Sequence, residues 1–179
     1  SYTESSDDVP VWIWYDSLGR KICEQTLGLN GRKKSVFTEY YPDGRVKVNY
    51  QPTFDITERS EAKRFTYDEY GRVETIVTPM GEAYYSYVGK TTTVTTPEGT
   101  SETTINDIGK TIINKVNGKA VNYTYYASGL TKTSTPEGGQ SINIFYDLQG
   151  NRIRLEDPDA GVIESKYDGF GKLLWEKQK

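Results

Sequence analysis

Residues 146–172 read YDLQGNRIRLEDPDAGVIESKYDGFGK, and their punctuation decides the fold. Tyr146-Asp147-Leu-Gln-Gly150 opens the stretch and Tyr167-Asp168-Gly-Phe-Gly171 closes it, with Asp157-Pro-Asp-Ala-Gly161 midway. Asp at the first position of a β-turn can accept a hydrogen bond from the backbone two residues on, Pro presets φ, and Gly takes the left-handed φ that other residues resist. A type I turn followed by a left-handed residue is a common three-residue hairpin connection. The segments between turns are about six to eight residues, an ordinary strand length. The stretch therefore predicts one β-hairpin per roughly 20 residues, joined to the next by the same grammar.

The pattern repeats outward through the chain. An aromatic or Ile is followed four positions later by Gly, then usually by a base. The copies are Tyr15-Asp16…Gly19-Arg20, Tyr40…Gly44-Arg45, Tyr67-Asp68…Gly71-Arg72, Tyr85…Gly89-Lys90, Ile105…Gly109-Lys110 and Tyr125…Gly129-Leu130, together with the two quoted above. From Gly71 onward these glycines fall 18 to 21 residues apart. Intermediate turns read Thr78-Pro-Met-Gly81, Thr96-Pro-Glu-Gly99 and Thr135-Pro-Glu-Gly138, with Asn117-Gly118 as a variant. Alternation places Ile142, Ile144 and Tyr146 on one face, and likewise Val121, Tyr123 and Tyr125, with mostly polar residues between them. The expected fold is all-β: an antiparallel meander of tandem hairpins in a curved or coiled open sheet.

Composition agrees and narrows the function. The 179 residues hold 15 Tyr and 17 Gly, with only 35% hydrophobic residues, which suits a thin, Tyr-rich core. With 22 basic and 25 acidic side chains there is no basic footprint for nucleic acid. No His and a single cysteine, Cys23, leave no zinc constellation, no internal disulfide and no His-dependent nucleophile. No apolar run is long enough for a membrane-spanning helix. Residues 1–8, SYTESSDD, read as a polar leader and lack the basic and apolar regions of a signal peptide. Residues 9–179 form the repeat array, and 52–63 (PTFDITERSEAK) carry no turn signature, predicting a longer loop or a short helical insertion. Neither end reads as a cap, so a piece of a longer protein is expected.

With Tyr-Asp-x-x-Gly-Arg recurring at about this period, the chain resembles the YD-repeat or Rhs family. Tyr15, Tyr67 and Tyr167 begin close matches to the motif, and Tyr146 begins a copy whose Arg is displaced to Arg152. The resemblance implies a strip of a spiral β-shell from an exported bacterial surface or toxin-associated protein, hence an extracellular or cell-surface location. Its partners would be further YD repeats of the same polypeptide, lateral self-association, or surface glycans.

Three functions compete. A non-catalytic structural and interaction module is expected first, its motif residues (Tyr15, Asp16, Gly19, Gly44, Tyr67, Asp68, Gly71, Gly89, Gly109, Gly129, Tyr146, Asp147, Gly150, Tyr167, Asp168, Gly171) serving turns and cross-strand packing. The alternative is a carbohydrate-binding module that stacks sugar rings on Trp12, Trp14, Tyr41, Tyr84, Tyr87, Tyr126 and Phe145, on or near the face opposite the motif tyrosines. Each of these can instead pack beneath a loop or against a second layer. An enzyme with paired carboxylates is not expected, because the acids occupy turn or outward positions. No cofactor and no metal site are expected either; Asp157 and Asp159 read as turn residues.

Overall fold

The computed structural model describes residues 10–28 and 31–179; the leader expected over residues 1–8 lies outside the described residues. All described regular structure is β-strand, in two compact units, 1–85 and 86–179. The first holds β1 (Val11–Tyr15), β2 (Lys21–Leu27), β3 (Lys33–Tyr40), β4 (Val46–Tyr50), β5 (Glu61–Tyr67), β6 (Val73–Thr78) and most of β7 (Gly81–Val88). The second holds β8 (Thr91–Thr96), β9 (Gly99–Ile105), β10 (Thr111–Val116), β11 (Lys119–Tyr125) and β12 (Thr131–Pro136), followed by β13 (Ile142–Tyr146), β14 (Arg152–Asp157), β15 (Gly161–Tyr167) and β16 (Leu173–Gln178). Within each unit every strand pairs antiparallel with its neighbours in the chain, so each sheet is open and in linear order. The all-β meander expected from the turn grammar is the observed architecture.

The motif turns show why this sequence folds so. In each of seven copies the Gly amide donates to the carbonyl three residues earlier, as Gly71 does to Asp68 at 3.0 Å, and the residue at that first position bonds back across the loop, as Asp68 N does to Arg72 O at 2.9 Å. These glycines have φ between 76° and 92°, the left-handed region that closes a type I turn with a bulge. The bulge falls on the motif tyrosine: the pairing register shifts at Tyr15, Tyr40, Tyr67, Tyr125, Tyr146 and Tyr167. The acidic residue staples the loop. Asp68 Oδ1 accepts from the amides of Tyr70 (3.0 Å) and Arg72 (2.8 Å), and Asp16, Asn106, Asp147 and Asp168 repeat the arrangement.

Two copies have Tyr where the staple would be. Tyr41 and Tyr126 keep the backbone turn but send their hydroxyls forward to Phe65 O and Ile144 O, each at 3.0 Å. The copy at Tyr85 departs further. It makes a tight connection over Gly89-Lys90, with Gly89 (φ 57) at the first central position, where a type II′ hairpin needs Gly. Ser86 stands where the other copies have Asp, Asn or Tyr, and β7 runs on through it to Val88.

The intermediate turns follow their own rule. Thr78 Oγ1 takes the Met80 amide and donates to Gly81 O, and Thr96 does the same with Glu98 and Gly99. Asn117 and Gly118 both have positive φ (48° and 86°), the type I′ requirement. The Thr135-Pro-Glu-Gly138 copy is different. Gly139 extends the loop by donating to Pro136 O at 3.0 Å, and the pairing of β12 with β13 shrinks to Thr133–Asn143 and Ser134–Ile142.

The tyrosine ladder is a brace as well as a packing surface. Tyr40, Tyr67 and Tyr125 donate their hydroxyls to the carbonyls of Lys21 (2.8 Å), Val46 (2.8 Å) and Thr111 (2.5 Å), each the first residue of the preceding strand. Cross-strand hydroxyl pairs add to this, Thr91 with Thr104 and Thr124 with Thr133. Closed-off core is scarce. Among the described residues the buried apolar side chains are Cys23, Phe37 and Val48, all in the first unit. A loop of non-helical chain docks beside them, with Arg59 over the Phe37 ring. Residues 51–60 carry no helix, and Thr53 bridges Ser35 through two backbone hydrogen bonds of 2.7 and 2.9 Å, which leaves Ser35 fully buried.

Candidate functional site

Hairpin register builds the first unit's hollow. Trp14 lies opposite Cys23, and Cys23 opposite Phe37, so three side chains remote in sequence form one row across β1, β2 and β3. Loop 51–60 closes over the row from the side and brings Ile56 and Arg59. The result is a hollow of about 710 Å³ walled by Trp14, Ile22, Phe37, Tyr40 and Ile56, with Asp16, Arg20, Gln25, Glu39 and Arg59 as its polar groups. Cys23 forms part of the floor, and burial pushes its thiol upward despite the nearby Arg59.

Each charge in this hollow is held. Arg59 stacks over the Phe37 ring at 3.9 Å and reaches to 6.0 Å from that of Tyr50. Glu39 Oε1 accepts the Tyr50 hydroxyl at 2.6 Å, which raises that phenol above its usual range, helped by burial. Arg20 donates Nε to Asp16 Oδ2 at 2.6 Å and NH1 to Tyr41 O at 3.0 Å, while its guanidinium lies 4.9 Å from the Tyr40 ring. The Arg20 amide, then its guanidinium, outweigh desolvation and hold Asp16 below the ordinary carboxylate value. An aromatic wall beside fixed planar hydrogen-bonding groups can stack and hydrogen-bond a polar ring.

The second unit has its own hollow, about 660 Å³, walled by Tyr126, Leu130, Phe145, Tyr146, Leu148 and Ile153. Tyr126 stands edge-on to Tyr146, ring centres 6.1 Å apart at 89°.

The proposed stacking residues thus divide. Trp14 lines the first hollow, and Tyr126 and Phe145 share the second. Trp12 shares Trp14's side of β1, with the Lys33 ammonium 4.1 Å from its ring centre. Tyr41 is committed elsewhere, edge-on to Tyr67 at 6.1 Å and 82° with its hydroxyl on Phe65 O. Tyr84 is exposed and its hydroxyl pairs with the Glu82 carboxylate. Tyr41, Tyr126 and Tyr87 correct the expectation that this set faces away from the motif tyrosines: the first two meet the motif residues Tyr67 and Tyr146 edge-on. Burial alternates residue by residue along β7, placing Tyr87 with Tyr85 and opposite Tyr84. Phe37, Tyr50, Glu39 and Arg59 were not singled out from sequence. Counting register from Trp14 through the two hairpins would have found Phe37, but nothing local marks Arg59, which the loop carries in.

No protein-family profile and no curated protein matches the chain. Solved structures do. The chain is similar to part of the TcdB2-TccC3-TEV crystal structure, with a TM-score of 0.71 and 15% identity over 98% of this chain and 12% of that one. It is similar also to part of the Photorhabdus luminescens Tc holotoxin pore, with a TM-score of 0.76 and 15% identity over 98% of this chain and 10% of that one. The TcdB2-TccC3 crystal structure matches with a TM-score of 0.70 at 16% identity, over 95% of this chain and 11% of that one. The chain spans about a tenth of the length of these structures. The likeness shows the fold alone: an open sheet of tandem hairpins like that in part of these toxin-complex structures.

Proposed function

We propose that the chain is a non-catalytic structural and interaction module of an exported, toxin-associated YD-repeat protein, its neighbours being further repeats of the same polypeptide. The observation that carries this reading is the repetition of one hydrogen-bonded turn. Asp or Asn staples the loop, Gly closes it, and the tyrosine of the following copy braces the strand it opens. The motif aspartates serve this framework, and each hairpin is stabilised mainly by its neighbours. The toxin-complex structures with the same fold support the association with toxins.

The test is an immunoblot of source-cell fractions with an antibody against this chain, before and after protease shaving of intact cells. A band far larger than 20.3 kDa that disappears on shaving supports the reading. A shaving-resistant cytosolic band near that mass contradicts it.

A second reading has its own observation, the Trp14–Phe37 hollow with Gln25, Glu39 and Arg59 at its rim. This is the composition expected of a subsite for a neutral sugar ring, an apolar face with a few placed polar groups. A glycan array supports it if retention is lost on Trp14→Ala and kept on Tyr84→Ala. No retention of any glycan by the parent chain rules it out.

A further inference from the structure

The two rims of the second unit, where its strands turn, differ in chemistry. One rim carries Pro97-Glu98, Asn117-Gly118, Glu137-Gly138-Gly139 and Pro158-Asp159, its turn residues polar or small as turn chemistry favours, with the half-exposed Val116 at the end of β10 as its apolar exception. The other rim carries Val88, the last residue of β7, and Ile108, Leu148 and Phe170 in the turns that lead into β10, β14 and β16. Val88 and Ile108 are 77% and 72% exposed, and Leu148 and Phe170 completely so. Nothing in the wide turn requires an apolar residue there, since the staple and the Gly do the closing; Ile108 and Phe170 stand where the turn into β12 has Ser128, and Leu148 stands where that turn has Ala127. Strands lie about 4.8 Å apart, so tips on alternate turns recur at roughly 10 Å.

We propose that this rim of the second unit is a self-association surface, taken by the same rim of a second copy in a twofold, antiparallel arrangement. Charge sets the direction. The Val88–Ile108 half carries Lys90 and Lys110 against Asp107, whereas the Leu148–Phe170 half carries Asp147 and Asp168 against Lys172, with Arg152 answered by Glu176 at 3.9 Å. Antiparallel pairing sets the net positive half against the net negative one, and parallel pairing sets like on like. A twofold contact uses the same patch on both copies, and here the axis falls at Ser128, midway along the row. Four apolar tips remove about 1,000 Å² from water over both copies, the lower bound for a specific contact and the size of a transient one. The surface is separate from the strand edges, whose free backbone groups would pair by a different geometry.

Sedimentation velocity of the 179-residue chain tests this, over a range of about 5 to 500 µM suited to a contact of that size. The expected result is a mass rising from 20.3 kDa toward twice that, with the dissociation constant raised at least tenfold by Ile108→Ser/Leu148→Ser/Phe170→Ser. The tips are solvated, so circular dichroism of this variant stays unchanged; Leu148→Asp alone supplies a second, milder disruption. Ser128→Cys is expected to form a disulfide dimer across the axis, while Glu137→Cys on the opposite rim does not, and the native Cys23 is buried. A parent chain monomeric throughout overturns the proposal. So does a dimer that survives the triple substitution, which would assign association to the strand edges instead.

Discussion

Replacing Tyr67 by Phe isolates the hydroxyl brace. The Tyr67 hydroxyl donates to Val46 O at 2.8 Å, tying the end of β5 to the beginning of β4. Phe keeps the ring, and with it the edge-on contact with Tyr41 at 6.1 Å and the Arg45 guanidinium 4.7 Å from the ring centre. What is lost is one neutral hydrogen bond, worth about 1 kcal/mol net. Val46 is only half-buried, so water can partly replace the donor and the loss does not approach that of a sealed carbonyl. For a chain of this length about 1 kcal/mol corresponds to a midpoint lowered by roughly 2–4 °C. Thermal unfolding followed by circular dichroism measures it, with Tyr70→Phe as the control because that ring stands largely in solvent. Tyr125→Phe, which releases Thr111 O, should cost a similar amount and add to Tyr67→Phe, since the two share no partner. A Tyr67→Phe midpoint no lower than that of Tyr70→Phe would refute the claim that these hydroxyls brace the repeats.

Other expectations follow from the same structure. Gly109→Val places a β-branched residue at φ 76° with no steric neighbour, so the cost is backbone strain alone, about 1–2 kcal/mol by urea denaturation. Val48→Ala removes two methyl groups from the most sealed apolar site and should cost about 2–3 kcal/mol; Val116→Ala, on a half-exposed residue, should stay within roughly 0.5 kcal/mol. Acid should weaken the turns. The Asn151 side-chain amide leads in holding Asp147 below its ordinary value of 3.8, and the Arg20 amide does so for Asp16. A depressed folded value means that the stabilisation is complete above the ordinary carboxylate range and is lost as pH falls through it. Melting points between pH 6 and about 2.5 should therefore drop below roughly pH 4. Asp147→Asn should flatten that drop, because Asn106 makes the same staple without titrating, to Ile108 N at 3.1 Å and Lys110 N at 2.9 Å.

Most of the architecture was legible because the turns are chemical and local. Asp at the first position and Gly at the fourth state the backbone geometry on their own, and alternation then assigns faces strand by strand. Four things were not legible. The Tyr85 copy has the spacing but lacks the acid or aromatic that anchors the wider loop, and its Gly sits equally well in a two-residue turn. The third Thr-Pro-Glu-Gly has a second glycine, Gly139, which lets the loop lengthen at the expense of β12–β13 pairing. The hollow of the first unit depends on register carried through two successive hairpins and on loop 51–60 docking by the Thr53–Ser35 bridge, a long-range contact that no motif announces. Tyr41 and Tyr126 looked like free aromatic surface because sequence shows a ring and not its direction. In the fold, the position that denies them an Asp staple turns their hydroxyls to the next repeat.

One hydrogen-bonded turn, made by seven of the eight motif copies and recurring about every 20 residues, sets the hairpin geometry along the described chain. Residue-resolved amide hydrogen exchange by NMR tests it most directly. The amides of Gly19, Gly71, Gly109, Gly150 and Gly171, and of the stapled Arg20, Arg72, Lys110, Asn151 and Lys172, are expected to exchange far more slowly than those of exposed residues in loop 51–60 such as Phe54. Exchange at these turn amides as fast as in the loop, with protection confined to the strands, would contradict it.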